Sequence, residues 1–84
     1  QRIHMDKRSP LIGQLHTNFR NQAIQSLQNE QQNDLHFSLG FTMSHKLYKE
    51  YRARLLDVVT EFEQRFLEDD PEEFFCLNID FFVG

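Results

Sequence analysis

The side chains that could carry chemistry in this sequence are four histidines and one cysteine. They are His4, His16, His36, His45 and Cys76. A zinc site needs three or four converging ligands, and neither a Cys-x-x-Cys nor a His-Glu-x-x-His pattern is present. A nucleophilic cysteine needs a neighbouring base, and nothing beside Cys76 supplies one. We therefore predict no catalytic residue, no metal and no cofactor, and we do not expect an enzyme.

A run of carboxylates between residues 68 and 73 is the other candidate for ligand binding. It lacks the alternating Asp-x-Asp-x-Asp-Gly order of a calcium loop. The three glycines of the chain lie far apart, so no glycine-rich phosphate loop can form either. The run is predicted to be a solvated turn.

Composition limits the class of protein. With 84 residues the chain forms one domain at most and has a thin core as a monomer. Its net charge of −4 argues against direct binding to nucleic-acid phosphates. A single cysteine cannot form an internal disulfide, which favours a reducing, cytoplasmic location. No apolar run approaches the ~20 residues that span a bilayer, so no membrane partner is expected.

The first residues are set apart from the domain. His4-Met5 is consistent with a cloning scar, which would make residues 1–5 an expression-tag remnant. Residues 6–84 are then expected to form a single domain. On this interpretation the chain is a fragment of a longer protein.

Two stretches have the alternation of β-strands. Apolar residues occupy every odd position from Leu35 to Met43, and a period of two indicates a strand with two different faces. Residues 74–83 alternate as well, but aromatic side chains fall on both faces. A strand of that kind is typically covered on two sides.

Two helices are predicted from apolar spacing and capping signals. Ser9-Pro10 is a helix-start signal, and the first helix is expected from about Pro10 to Gln32. Ser44 is a good N-cap for a second helix from His45 to about residue 68 or 69. Asp70-Pro71 should stop it, because proline cannot continue the hydrogen-bond ladder.

The predicted fold is α+β, in the order helix, strand, long helix, strand. A small sheet would be covered by the helices and completed across a homodimer, since two strands alone are marginal. Parallel pairing through a β-α-β crossover and pairing with another molecule both remain open. The predicted core comprises Leu15, Phe19, Leu27, Phe37, Leu39, Phe41, Tyr51, Leu55, Val58, Phe62, Phe66, Leu77, Ile79 and Phe81.

Charge and surplus apolar surface favour a homodimer. The second helix is basic in its first half and acidic towards its end, the reverse of what its dipole prefers. An antiparallel symmetry mate would bring each basic half against an acidic half. The predicted dimer interface comprises Leu56, Leu67, Phe74, Cys76 and Phe82.

The chain also resembles a known bacterial family. The resemblance lies in residues 34–44, which end Phe-Thr-Met-Ser, in the aromatic-rich helix after them, and in residues 69–82. That last run reads Asp-Asp-Pro-Glu-Glu-Phe-Phe-Cys-Leu-Asn-Ile-Asp-Phe-Phe. Residues that resemble the preceding helix of the family are His16, Phe19, Ala23 and Leu27. The family is a C-terminal domain of unassigned function in predicted helix-turn-helix transcriptional regulators.

The resemblance implies a self-associating regulatory domain, used for dimerisation or signal sensing, whose DNA contacts belong to a domain absent from this chain. It supplies no catalytic residues. Two alternatives stay open. One is a sensor that binds a small apolar ligand between helices and sheet. The other is a protein–protein adaptor that offers a strand edge to a partner.

Overall fold

The computed structural model describes residues 10–29 and 33–84, and these residues contain two helices. Helix α1 spans Pro10–Asn29, and helix α2 spans His45–Phe66. Both predicted helices are confirmed. Ser9 and Gln32, which the sequence predicts at the ends of the first helix, lie outside the described residues.

Helix α2 begins at the predicted cap. Ser44 has extended backbone, with φ −76° and ψ 157°, so it stands just outside the helix. Its hydroxyl oxygen accepts a hydrogen bond from the amide of Leu47 at 3.1 Å. The amide of Tyr48 donates to the carbonyl of Ser44 at 3.0 Å and closes the first turn. The cap thereby satisfies one of the amides that a helix start leaves without a partner.

The far end of α2 closes before the proline. The amide of Leu67 still donates to the carbonyl of Glu63 at 3.1 Å. The next two amides, of Glu68 and Asp69, donate to carbonyls only three residues back, both at 3.3 Å. Bonds of that span tighten a helix end into a 3₁₀ turn. Helix α2 therefore ends at Phe66, slightly earlier than Asp70-Pro71 predicts.

The described residues contain no strand and no sheet, so the α+β prediction is wrong and the described fold is all-α. The segments 35–43 and 74–83, which alternation predicts as strands, have neither helix nor strand. Alternation shows that a segment has two faces, but a strand also needs a backbone partner. Among the described residues, backbone–backbone hydrogen bonds outside the helices lie at the ends of α2. Neither segment therefore forms a ladder.

The described residues form two compact units. The α1 unit comprises α1 with residues 33–38 and 75–80. The α2 unit comprises residues 39–74, which include α2, and residues 81–84. A single domain over residues 6–84 stays a prediction.

No side chain in the described part of the chain is buried. Five members of the predicted core are half-buried, namely Leu15, Phe19, Leu55, Phe66 and Phe81. The other nine are exposed, namely Leu27, Phe37, Leu39, Phe41, Tyr51, Val58, Phe62, Leu77 and Ile79. The chain by itself thus lacks a hydrophobic core over these residues, and the core assignment stays a prediction.

The capping contact gives the first testable prediction. Ser44→Ala removes the acceptor for the Leu47 amide and should lower the free energy of unfolding by about 1 kcal/mol. Urea denaturation followed by circular dichroism at 222 nm measures this change. The matched control is Ser38→Ala, because Ser38 is exposed and does not cap a helix. An equal effect of both substitutions would contradict the capping role.

Candidate functional site

The densest polar cluster of the α1 unit is centred on Arg20. Its Nε donates to Asp80 Oδ2 at 2.7 Å, and its Nη2 donates to Asp80 Oδ1 at 2.6 Å. These two parallel bonds form a bidentate ion pair between α1 and the C-terminal segment. Nη2 also donates to the carbonyl of Ile79 at 3.2 Å. The guanidinium therefore holds both the side chain and the backbone of that segment.

Asn78 and His16 complete this cluster, which we call the Arg20 clasp (His16, Arg20, Asn78 and Asp80). Arg20 Nη1 donates to Asn78 Oδ1 at 3.3 Å and to the carbonyl of His16 at 3.2 Å. Asn78 Nδ2 in turn donates to the carbonyl of Phe19 at 3.3 Å. Each group thus orients the next, which fixes the register of residues 78–80 along α1.

The clasp changes the acidity of Asp80. Its pKa lies below the ordinary value of 3.8, chiefly because the Arg20 side chain donates hydrogen bonds to the ionised carboxylate. The positive charge of Arg20 lowers the pKa further, and partial desolvation opposes the shift. Since the Asp80 side chain is 52% exposed, solvent screens this pair and its contribution to stability is small.

The C-terminal segment contacts α1 through its polar face. Asn78 and Asp80 contact Arg20, and Cys76 Sγ lies 3.5 Å from Gln22 Oε1 as a hydrogen-bond donor. The alternate residues are apolar and exposed, namely Phe75, Leu77 and Ile79. Alternation correctly indicates two faces, but the apolar face is the one that this unit leaves open.

A second polar cluster joins Ser26, Asp34 and His36. The hydroxyl of Ser26 donates to Asp34 Oδ2, and Ser26 Oγ lies 2.9 Å from His36 Nε2. A serine, a histidine and an aspartate in contact suggest a hydrolytic triad. The spacing of these residues in the sequence does not predict the cluster. In such a triad the histidine lies between the other two and accepts the serine proton.

The order of contacts here is different. Ser26 lies in the middle and gives its only hydroxyl proton to Asp34, so Nε2 of His36 has to be the donor towards Ser26. An imidazole that donates at this position cannot accept the serine proton. This geometry is not that of an activated nucleophile. The cluster instead ties residues 34–36 to the last turns of α1.

In the α2 unit the contacts are aromatic. The hydroxyl of Tyr48 donates to the carbonyl of Phe81 at 3.0 Å, and the two ring centroids lie 4.6 Å apart. The ring of Phe41 lies 6.2 Å from that of Phe81. Phe81 is therefore held between α2 and the segment that precedes it, and it is half-buried there.

The five residues predicted to form a dimer interface are all exposed. Leu56 and Leu67 are on α2 and just after it, and Phe74 and Phe82 lie in the C-terminal segment. Cys76 is a free, exposed thiol. Their role in an interface stays a prediction.

Sequence reasoning missed Arg20 and Ser26, although one signal for Arg20 is present. Arg20 is the only Lys, Arg, Asp or Glu residue in α1. An isolated charge beside an apolar stripe favours a specific partner, and Asp80 is an acid on the polar face of a distant segment. Ser26 carries no such signal because it lies among many polar residues.

Over the described ranges 10–29 and 33–84, no three acidic, histidine or cysteine side chains converge as a metal site would require. No helix within those ranges combines the length and hydropathy needed to cross a membrane.

Comparison with family models, with curated proteins and with solved structures found no match.

The clasp predicts how firmly the C-terminal segment is held. Arg20→Ala should raise the rate of chymotryptic cleavage between residues 74 and 77 about three- to ten-fold. The reason is that exposed bidentate pairs contribute on the order of 1 kcal/mol and cleavage follows the open population. The cleavage rate of Arg20→Lys should lie between those of the unaltered chain and Arg20→Ala, because lysine keeps the positive charge but cannot form the bidentate pair with Asp80.

The matched control for that experiment is Arg52→Ala, which removes an exposed arginine of the α2 unit. Its cleavage rate in the same segment should equal that of the unaltered chain. An equal increase for both alanine variants would show that Arg20 has no special hold on residues 75–80.

The lowered pKa of Asp80 predicts a pH dependence. A carboxyl whose pKa falls on folding stabilises the folded form above its ordinary pKa of 3.8 and loses that contribution as the pH falls further. The NMR titration of the Asp80 side-chain carbon should therefore have a midpoint below 3.8. In Arg20→Ala the midpoint should rise towards that value. A midpoint that stays in place would contradict the clasp.

Proposed function

We propose that this chain is a self-associating domain, used for dimerisation or signal sensing in a cytoplasmic bacterial transcriptional regulator. One observation carries the self-association. The described residues bury no side chain, yet they expose 19 large apolar ones. Soluble proteins rarely leave large contiguous apolar patches in water, and such patches are typical of interaction surfaces.

Surface area supports the same proposal. The chain exposes 8384 Å². Surface scaling for a folded monomer of this mass gives roughly 5,300 Å². The surplus of about 3,000 Å² per chain amounts to about 6,000 Å² over two chains, at the upper end of the roughly 2,000–5,000 Å² or more that obligate homodimer interfaces bury in total.

A second copy is the occupant that the charges favour. Within α2 the first half carries four basic side chains and one acid, whereas the second half carries three acids and one base. Two copies related by a two-fold axis place these halves together without any further partner. A different protein would need its own matching pattern.

The regulator part of the proposal is supported by the resemblance to the C-terminal domains of predicted helix-turn-helix regulators. With a net charge of −4 the chain is a poor ligand for DNA phosphates, so DNA reading would belong to another domain. Dimerisation would then set the spacing of two reading domains on operator half-sites.

Sedimentation equilibrium tests self-association. From 1 to 100 µM the chain should sediment as a dimer, and a monomer at tens of micromolar would contradict the proposal. Phe82→Asp should raise the dissociation constant at least about ten-fold, because it places a charge on an exposed ring of the predicted interface. Thr42→Asp is the matched control, since it adds the same charge at an exposed polar position.

A further inference from the structure

One side of α2 carries exposed apolar residues, and three of them, Tyr51, Val58 and Phe62, are members of the predicted core. Half-buried side chains lie along a single line of the helix, which includes Tyr48, Leu55 and Phe66. Beside that line runs a second row that is 40–62% exposed, which we call the open face. It comprises Leu47, Tyr51, Val58 and Phe62.

The spacing of the open face is symmetric. Successive members are four, seven and four residues apart, so the row has the same spacing in both directions along the helix. If two copies of α2 lie antiparallel with the axis between Arg54 and Leu55, every member meets an apolar residue. Leu47 lies opposite Phe62 of the second copy, and Tyr51 lies opposite Val58 of the second copy.

Charge selects the antiparallel direction. The half of α2 before Leu56 has a formal charge of +3, from four basic residues and one acid, and the half from Leu56 onward has −2. Parallel copies would place like halves together, whereas antiparallel copies place opposite halves together. Opposite charges on adjacent helices attract each other, whereas like charges on adjacent helices repel and disfavour the parallel arrangement.

The arginine nearest the axis is already compensated. Arg54 Nη2 lies 3.2 Å from Glu50 Oε2, and the guanidinium lies 5.0 Å from the centre of the Tyr51 ring. Two arginines that meet at a two-fold axis repel each other unless each has its own partner. Glu50 supplies that partner within each copy.

We propose that two copies associate through this open face, with α2 antiparallel to α2 of the second copy and the axis between Arg54 and Leu55. This inference rests on the proposed function, and it specifies the part of the self-association surface that α2 supplies, in addition to exposed rings of the C-terminal segment such as Phe82. The apolar pairs across the axis stabilise the dimer, and the reversed charges of the helix fix its direction.

Disulfide trapping tests the register. In the Tyr51→Cys/Val58→Cys variant, made with Cys76→Ser, the two thiols of one chain are about 10.5 Å apart along the helix. That separation exceeds the reach of a disulfide, so a bond between them has to join two chains. Under mild oxidation, non-reducing electrophoresis should show covalent dimer forming about ten-fold faster than in either single-cysteine variant.

The single-cysteine variants are matched controls. Across the proposed axis, a cysteine at 51 lies seven residues along the helix from its own symmetry mate, again about 10.5 Å, and the same holds at 58. A second pair, Leu47→Cys with Phe62→Cys, applies the same test at the outer positions. Circular dichroism of every variant should show the helix content of the unaltered chain.

Two results would overturn the inference, and they are distinguishable. If the unaltered chain sediments as a dimer but neither double variant crosslinks faster than its single variants, the interface lies elsewhere and the proposed function stands. If the unaltered chain sediments as a monomer at tens of micromolar, the proposed function fails and this inference fails with it. Faster crosslinking in both double variants supports the axis.

Discussion

Apolar surface left in water is the constraint on which the rest of this structure depends. Folding has to offset a conformational entropy of roughly 1–2 kcal/mol per residue, and burial of apolar side chains is the main term that does so. The described residues bury none. A helix cap and a few exposed polar contacts contribute on the order of 1 kcal/mol each, so they cannot replace a core. The proposed self-association would supply the apolar burial that the described residues lack.

The polar contacts have a different task, which is to set positions. The Arg20 clasp joins residues 60 positions apart in the sequence, and it fixes which side of the C-terminal segment faces α1. Because the side that faces α1 is polar, the apolar side chains of Phe75, Leu77 and Ile79 are exposed to solvent. In the other unit the Tyr48 hydroxyl fixes Phe81 in the same manner. Specific polar contacts thus decide which apolar rows stay open.

Local signals in the sequence predict the helices well, whereas contacts between residues far apart in the chain could not be predicted from it. Ser44 caps α2 because its side chain bonds an amide three residues away, and that relation is visible in the sequence. Apolar and polar residues alternate over residues 35–43, but a strand also needs a second segment to pair with, and alternation does not identify that segment. Arg20 with Asp80 and Ser26 with His36 are likewise non-local. The candidate site was therefore largely unpredictable, except for the isolated charge of Arg20.

The order of charges along α2 opposes the dipole of that helix. Basic residues near a helix start and acids near its end oppose the dipole, at a few tenths to about 1 kcal/mol per charge. The Glu50–Arg54 pair offsets only part of this cost. A lone helix would be more stable with the order reversed.

An antiparallel pair with the reversed order in both copies would keep the same complementarity, so attraction alone does not explain the order. In the observed order the basic half contains Tyr51, and the guanidinium of Arg54 lies 5.0 Å from the centre of its ring. This contact between Arg54 and Tyr51 offsets part of the dipole cost.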